Sequence, residues 1–141
     1  MSKIEIYFED TKPIKLKKSN LKNYIKYLIH NELKKAGNIS IVLCSDNYLL
    51  EMNKKYLEHD YFTDIITFDY SEKGKLAGDI FISIERVKEN AESYNTTFDA
   101  ELGRVMAHGV LHLSGYKDKT PPDKKLMKSK EDFYLAAFPN L

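Results

Sequence analysis

The chain has 141 residues, 43% hydrophobic and 30% charged, which suits one soluble domain around one core. Its 22 Lys+Arg nearly cancel 21 Asp+Glu, so the net charge of +1 does not mark the whole molecule as a polyanion binder, although a local basic surface remains open. The one cysteine, Cys44, excludes an intramolecular disulfide and reads as a reduced, cytoplasmic setting. No apolar run approaches the length of a membrane span, and Met1 to Asp10 lacks the basic start and apolar stretch of a signal peptide.

In chain order, Ile4, Ile6 and Phe8 alternate with polar residues and predict a half-buried strand. Leu21, Tyr24, Ile25, Leu28, Ile29, Leu33 and Ala36 form one helical stripe, with Ser19 as the expected cap and Gly37 as the expected stop. Ile39 to Cys44 reads as a buried strand. Ser45 or Asp46 then caps a helix presenting Leu49, Met52, Asn53 and Tyr56 on one face. Asp64 to Asp69 and Gly78 to Ser83 read as paired strands around a turn over Tyr70 to Ala77. A short helix with Val87, Ala91 and Tyr94 inward follows. Thr96 and Asp99 have capping-box spacing before an apolar helix that runs to about Ser114 and stops at Gly115. Thr120 caps the last helix, with Pro121 in its first turn and Leu126, Met127, Phe133, Tyr134 and Ala137 as its expected inner face. The class is α+β: a single domain over residues 1–141, with a four-stranded mixed sheet packed by about five helices.

Chemistry concentrates in His108-Gly109-Val110-Leu111-His112-Leu113-Ser114-Gly115-Tyr116-Lys117-Asp118. Residues four apart in a helix differ by about 40° around its axis, so His108 and His112 project from one face, one turn apart. Two such imidazoles can reach one metal ion. Gly115 then breaks the helix and lets the chain turn back, which makes Asp118 the candidate third ligand. Two His and one carboxylate leave a coordination position open, the mark of a catalytic zinc site. The competing reading is a pair of core histidines satisfied by hydrogen bonds. Glu101 shares the face of His108 and is either the acceptor that orients a ligand or an ordinary first-turn acid. The zinc peptidases carry Glu directly after their first motif His. Gly109 stands there, which argues against that mechanism.

These residues resemble the signature of the YbeY family, zinc-dependent endoribonucleases of ribosomal RNA maturation. Met52-Asn53-Lys54-Lys55-Tyr56 through Asp60, with Thr63-Asp64-Ile65-Ile66-Thr67-Phe68, resembles the family's central segment, and Gly78-Asp79-Ile80-Phe81-Ile82 its following strand. The resemblance implies a zincin-like metal helix and one Zn2+ held by His108, His112 and Asp118, other divalent metals being open. It also implies cleavage of single-stranded ribosomal RNA and a partner in the small ribosomal subunit. Two departures stand out. Asp118 takes the place of the family's usual third His, and Leu57 that of the usual Arg after the central Tyr. His59 either supplies part of the missing positive charge or is an exposed loop residue. Asp79 is a base, an outer hydrogen-bonding group or a strand-end cap. Lys117, Lys119, Lys124 and Lys125, with Lys128 and Lys130, form either a phosphate-contacting surface beside the metal or a solvated face. The alternatives are a ribosome-assembly RNA- or protein-binding factor with a mainly structural metal, and a metallohydrolase on a non-RNA substrate.

Overall fold

A computed structural model describes residues 3–139 and 141; Met1, Ser2 and Asn140, which belong to the expected 1–141 domain, lie outside the described residues. Alternation gives β1 (Ile4–Phe8), whose Ile4 and Ile6 are buried. Next come α1 (Lys18–Asn31), β2 (Lys35–Cys44), α2 (Asp46–Leu57), β3 (Ile65–Asp69) and β4 (Lys75–Ser83). Three helices close the chain: α3 (Ile84–Ser93), α4 (Phe98–Leu113) and α5 (Pro121–Ala137). The four strands form one mixed sheet in the order β1-β2-β4-β3, with β1, β2 and β4 parallel and β3 antiparallel to β4. Among the described residues no helix is long and apolar enough to cross a membrane.

The period-2 side chains of the sheet sort into two cores. Ile39, Ile41 and Leu43 of β2 and Leu76, Ile80 and Ile82 of β4 join Leu21, Tyr24, Ile25 and Leu28 of α1 and the apolar positions of α4. On the opposite face, Cys44, Ile66, Phe68 and Phe81 pack with Leu49 and Met52 of α2. Burial pushes the Cys44 thiol up to about 12, so it behaves as a small hydrophobe rather than a nucleophile.

Several boundaries differ from the expectations. α1 starts after Lys17 without a side-chain cap, so Ser19 lies inside it. It stops at Asn31 rather than Gly37, because Leu33 turns to φ 60° and sits 91% exposed. Ala36 and Gly37 belong to β2. The turn expected over Tyr70 to Ala77 is shorter, since β4 begins at Lys75. Thr97, not Thr96, caps α4, accepting from the Ala100 N–H. Tyr56 and Tyr94 face solvent, and so do Leu126, Phe133 and Ala137 of α5, whose buried side is Met127, Glu131 and Tyr134.

Candidate metal centre

The site begins with how α4 is seated. Gly109 is buried against the sheet: a Cβ built there would lie 2.9 Å from Ile80 Cγ2 and 3.0 Å from Ile65 Cδ1. The residue that separates the two histidines is therefore the contact point with β3 and β4, and it needs to be small. With Gly109 turned to the sheet, the faces carrying His108 and His112 fall on the flank of the helix, where both side chains are partly exposed.

At its C-terminus α4 closes in a Schellman turn. The Tyr116 N–H reaches the Leu111 carbonyl at 3.1 Å and the Gly115 N–H reaches that of His112 at 3.0 Å. Gly115 adopts φ +107°, a conformation L side chains rarely take. The reversal brings the Tyr116 carbonyl to 3.0 Å from His112 Nδ1 and returns Asp118 to the helix flank. His108, His112 and Asp118 thus offer three ligand atoms that all lie within 4.8 Å of one another.

The outer partners fix which nitrogen is presented. His108 Nδ1 lies 2.7 Å from Glu131 Oε2, and the acceptor opposite His112 Nδ1 is a backbone carbonyl. Neither a carboxylate nor a carbonyl can donate, so each Nδ1 carries the proton and each Nε2 keeps its lone pair. Those two Nε2 atoms are 3.0 Å apart, and Asp118 Oδ2 is 3.4 Å from that of His108. Two facing lone pairs at this distance repel unless a cation or proton lies between them. Two zinc–nitrogen bonds of about 2.05 Å at a tetrahedral angle would set a separation of about 3.3 Å, close to the one found. The residues therefore fit a metal. Burial, followed by the neighbouring charge of His108, holds His112 below the ordinary imidazole value, which favours the ligating form.

Glu131 is itself held. It is buried on α5, and Arg104 Nη1 donates to its Oε1 at 3.0 Å. Arg104 also donates from Nε to Glu101 Oε1 at 2.9 Å and from Nη2 to the other Glu101 oxygen. The hydrogen bond to Glu101 is the largest influence holding the guanidinium charged. Glu101 is thus one step further from the two histidines than the sequence suggested; Glu131 orients His108, and Glu101 positions the arginine that secures it. A second anchor holds the ligand loop. Glu32, directly after α1, accepts from Tyr116 Oη at 2.5 Å, from Lys130 Nζ at 3.1 Å and from Tyr134 Oη. Burial pushes this carboxyl up, but the three donors outweigh it and hold it below the usual range.

Other candidates fall elsewhere. Asp79 sits between Gly78 and Ile80 on the α2 face of the sheet, paired with Ser40 and Phe68, away from α4. His59 is exposed in the loop after α2, with its Nδ1 3.0 Å from Tyr61 Oη and its ring stacked on that tyrosine. Leu57 ends α2, 42% exposed. Lys117 and Lys119 flank Asp118 in the exposed loop, Lys124 lines the cleft beside His108, and Lys125 is exposed on α5. Lys130 serves Glu32 and Lys128 pairs with Asp132 at 2.9 Å, so the lysine run divides into separate duties. Glu131, Arg104 and Glu32 were not singled out from the sequence. The signal for Glu131 was present: an acid between Met127 and Tyr134 at helical spacing breaks a buried stripe.

The family model described as Endoribonuclease YbeY matches residues 5–139. Curated relatives named Endoribonuclease YbeY include one from Parabacteroides distasonis, 45% identical over 136 residues, covering 96% of both chains. Another, from Cytophaga hutchinsonii, is 48% identical over 139 residues and covers 96% of this chain and 97% of the relative. A third, from Flavobacterium psychrophilum, is 53% identical across 82% of this chain and 83% of its own. The solution structure of TM1509 from Thermotoga maritima superposes with a TM-score of 0.66 at 30% identity, covering 94% of this chain and 87% of that one. With the relatives' hydrolytic class and a His–His–Asp cluster able to hold a metal, the chain belongs to the YbeY family of endoribonucleases.

Proposed function

We propose that this chain is a single metallohydrolase domain that uses one Zn2+ to cleave single-stranded ribosomal RNA during ribosome maturation in the cytoplasm, working on the small ribosomal subunit. The observation that carries the reading is the convergence of His108 Nε2, His112 Nε2 and an Asp118 carboxylate oxygen, with both histidine Nδ1 atoms already committed to acceptors. An ion held there by His108, His112 and Asp118 would supply Lewis-acid chemistry for phosphodiester hydrolysis. The chain's own residues do the rest. Glu131 and the Tyr116 carbonyl keep both rings aimed at one point. Lys124 at the cleft, with Lys117 and Lys119 on the ligand loop, faces the phosphate backbone and adds positive charge where the phosphorane-like transition state gains negative charge. Asp79 and His59 are left out of this scheme: Asp79 lies on the α2 face of the sheet and His59 is engaged with Tyr61.

Purified protein incubated with structured ribosomal RNA tests the reading. Cleavage should vanish with chelator and in His108→Ala, and RNA affinity should fall steeply with salt. Absence of metal-sensitive cleavage would overturn it. Salt-sensitive RNA binding without cleavage would instead identify a binding factor with a structural metal, the outcome that Leu57 in place of Arg favours. Asp118→Ala should lower metal content and affinity; unchanged values would remove Asp118 from the ligand set.

A further inference from the structure

Beside the histidines, between α4 and α5, lies a cleft of about 690 Å³. His108 and Asp118 line one part of it, and Tyr94, Thr96 and Arg104 line another. We propose that this cleft seats one unpaired nucleobase of the RNA next to the scissile phosphate, stacked on Tyr94. The inference rests on the endoribonuclease reading and adds to it a physical source for single-strand preference.

Five observations carry it. Tyr94 is 62% exposed although it borders the cleft, so its ring is available to a ligand. The Arg104 guanidinium lies over that ring, 5.8 Å from its centroid, and steadies it. Arg104 is fixed by hydrogen bonds to Glu101 and Glu131, so the ring rests on a rigid base. The deep carboxylates are already engaged by Arg104 and His108, which leaves the interior suited to a flat, uncharged group. The cation that can meet phosphate, Lys124, makes no ion pair among the described residues and lines the same cleft. Base and backbone are thereby assigned different walls. A base can stack on Tyr94 only when it has left its duplex, which makes the cleft a reader of strandedness rather than sequence.

The test uses metal-loaded full-length protein and labelled single-stranded oligoribonucleotides. Tyr94→Ala should weaken RNA binding and raise KM by about 5- to 100-fold, with little change in kcat and none in metal affinity. Tyr94→Phe should bind within about twofold of the parent, since the ring and not the hydroxyl does the stacking. Tyr70→Ala, which removes another exposed tyrosine, should behave as the parent. An abasic nucleotide walked along the substrate should weaken binding to the parent at one position near the cleavage site, and cause no added loss there in Tyr94→Ala. The proposal fails if Tyr94→Ala binds normally, or if the abasic penalty is the same in both proteins. Because equilibrium binding is read apart from cleavage, a parent that binds RNA by this pattern but never cleaves it would overturn the nuclease reading and leave the base site standing. Circular dichroism of the variants confirms folding.

Discussion

The residues that matter most are not the three candidate ligands but the groups that hold them. A histidine ring turns about two bonds, and a ring free to turn would give up much of its advantage as a ligand. Glu131, buried and pinned by Arg104, removes that freedom from His108. Glu131→Gln keeps an acceptor oxygen but allows the amide to present its NH2 instead, so metal affinity should fall by about 10- to 100-fold, measured by competition with a chromophoric chelator. An unchanged affinity would show that the Nδ1 contact is incidental. The convergence of His108, His112 and Asp118 was legible in the sequence because helical spacing and a glycine break are local facts. Glu131 and Glu32 were not, because they reach the site from α5 and from the end of α1, and no spacing rule connects positions 23 and 84 residues apart.

At the scale of elements, α4 is the unit that sets the geometry, and Gly109 sets the depth at which it rests. Gly109→Ala would thrust a methyl group onto two isoleucines of adjoining strands. The helix must lift or the strands must shift, a change costing about 1–3 kcal/mol by the usual penalty for overpacking. Denaturant midpoints should report that loss, together with weaker metal binding as the ligand flank moves. Full stability with full metal affinity would mean the contact has slack. Element identity was readable throughout, since all four strands and five helices follow hydrophobic period. The errors came where apolar residues were read as buried. Leu33 extended the stripe of α1 past its end, and Leu126 and Phe133 rotated the expected inner face of α5 away from Glu131. A solvent-facing leucine looks the same in sequence as a core one.

For the whole molecule, the ligand loop, α1 and α5 converge on Glu32, whose side chain is 8% exposed. Burial raises this carboxyl and the donors Tyr116, Tyr134 and Lys130 lower it by more, so its folded value lies below 4.5. A depressed carboxyl contributes stability that is fully present above its unfolded value and is lost as pH falls through the folded one. Glu32→Gln should therefore flatten the acid limb of the stability profile below about pH 4.5 and lower stability at neutral pH by about 2–4 kcal/mol, as chemical denaturation across pH would show. An acid limb of the same slope in both proteins would assign the transition to other groups. The sheet order was not readable in advance, because pairing β2 with β4 depends on α2 and β3 packing around a connection that no local pattern specifies.

The departure at position 118 gains a meaning from the buried trio behind His108. Glu101, Arg104 and Glu131 sum formally to one negative charge, and Asp118 adds a second beside the same imidazole. A divalent cation brings two positive charges, so the ion and its surroundings together reach electroneutrality. A histidine at 118 would leave the assembly one charge short of that balance. With a divalent ion bound as proposed, the carboxylate would complete the counter-charge to that ion, and the pull on an RNA phosphate would fall to the ion's polarising strength and the lysines at the cleft.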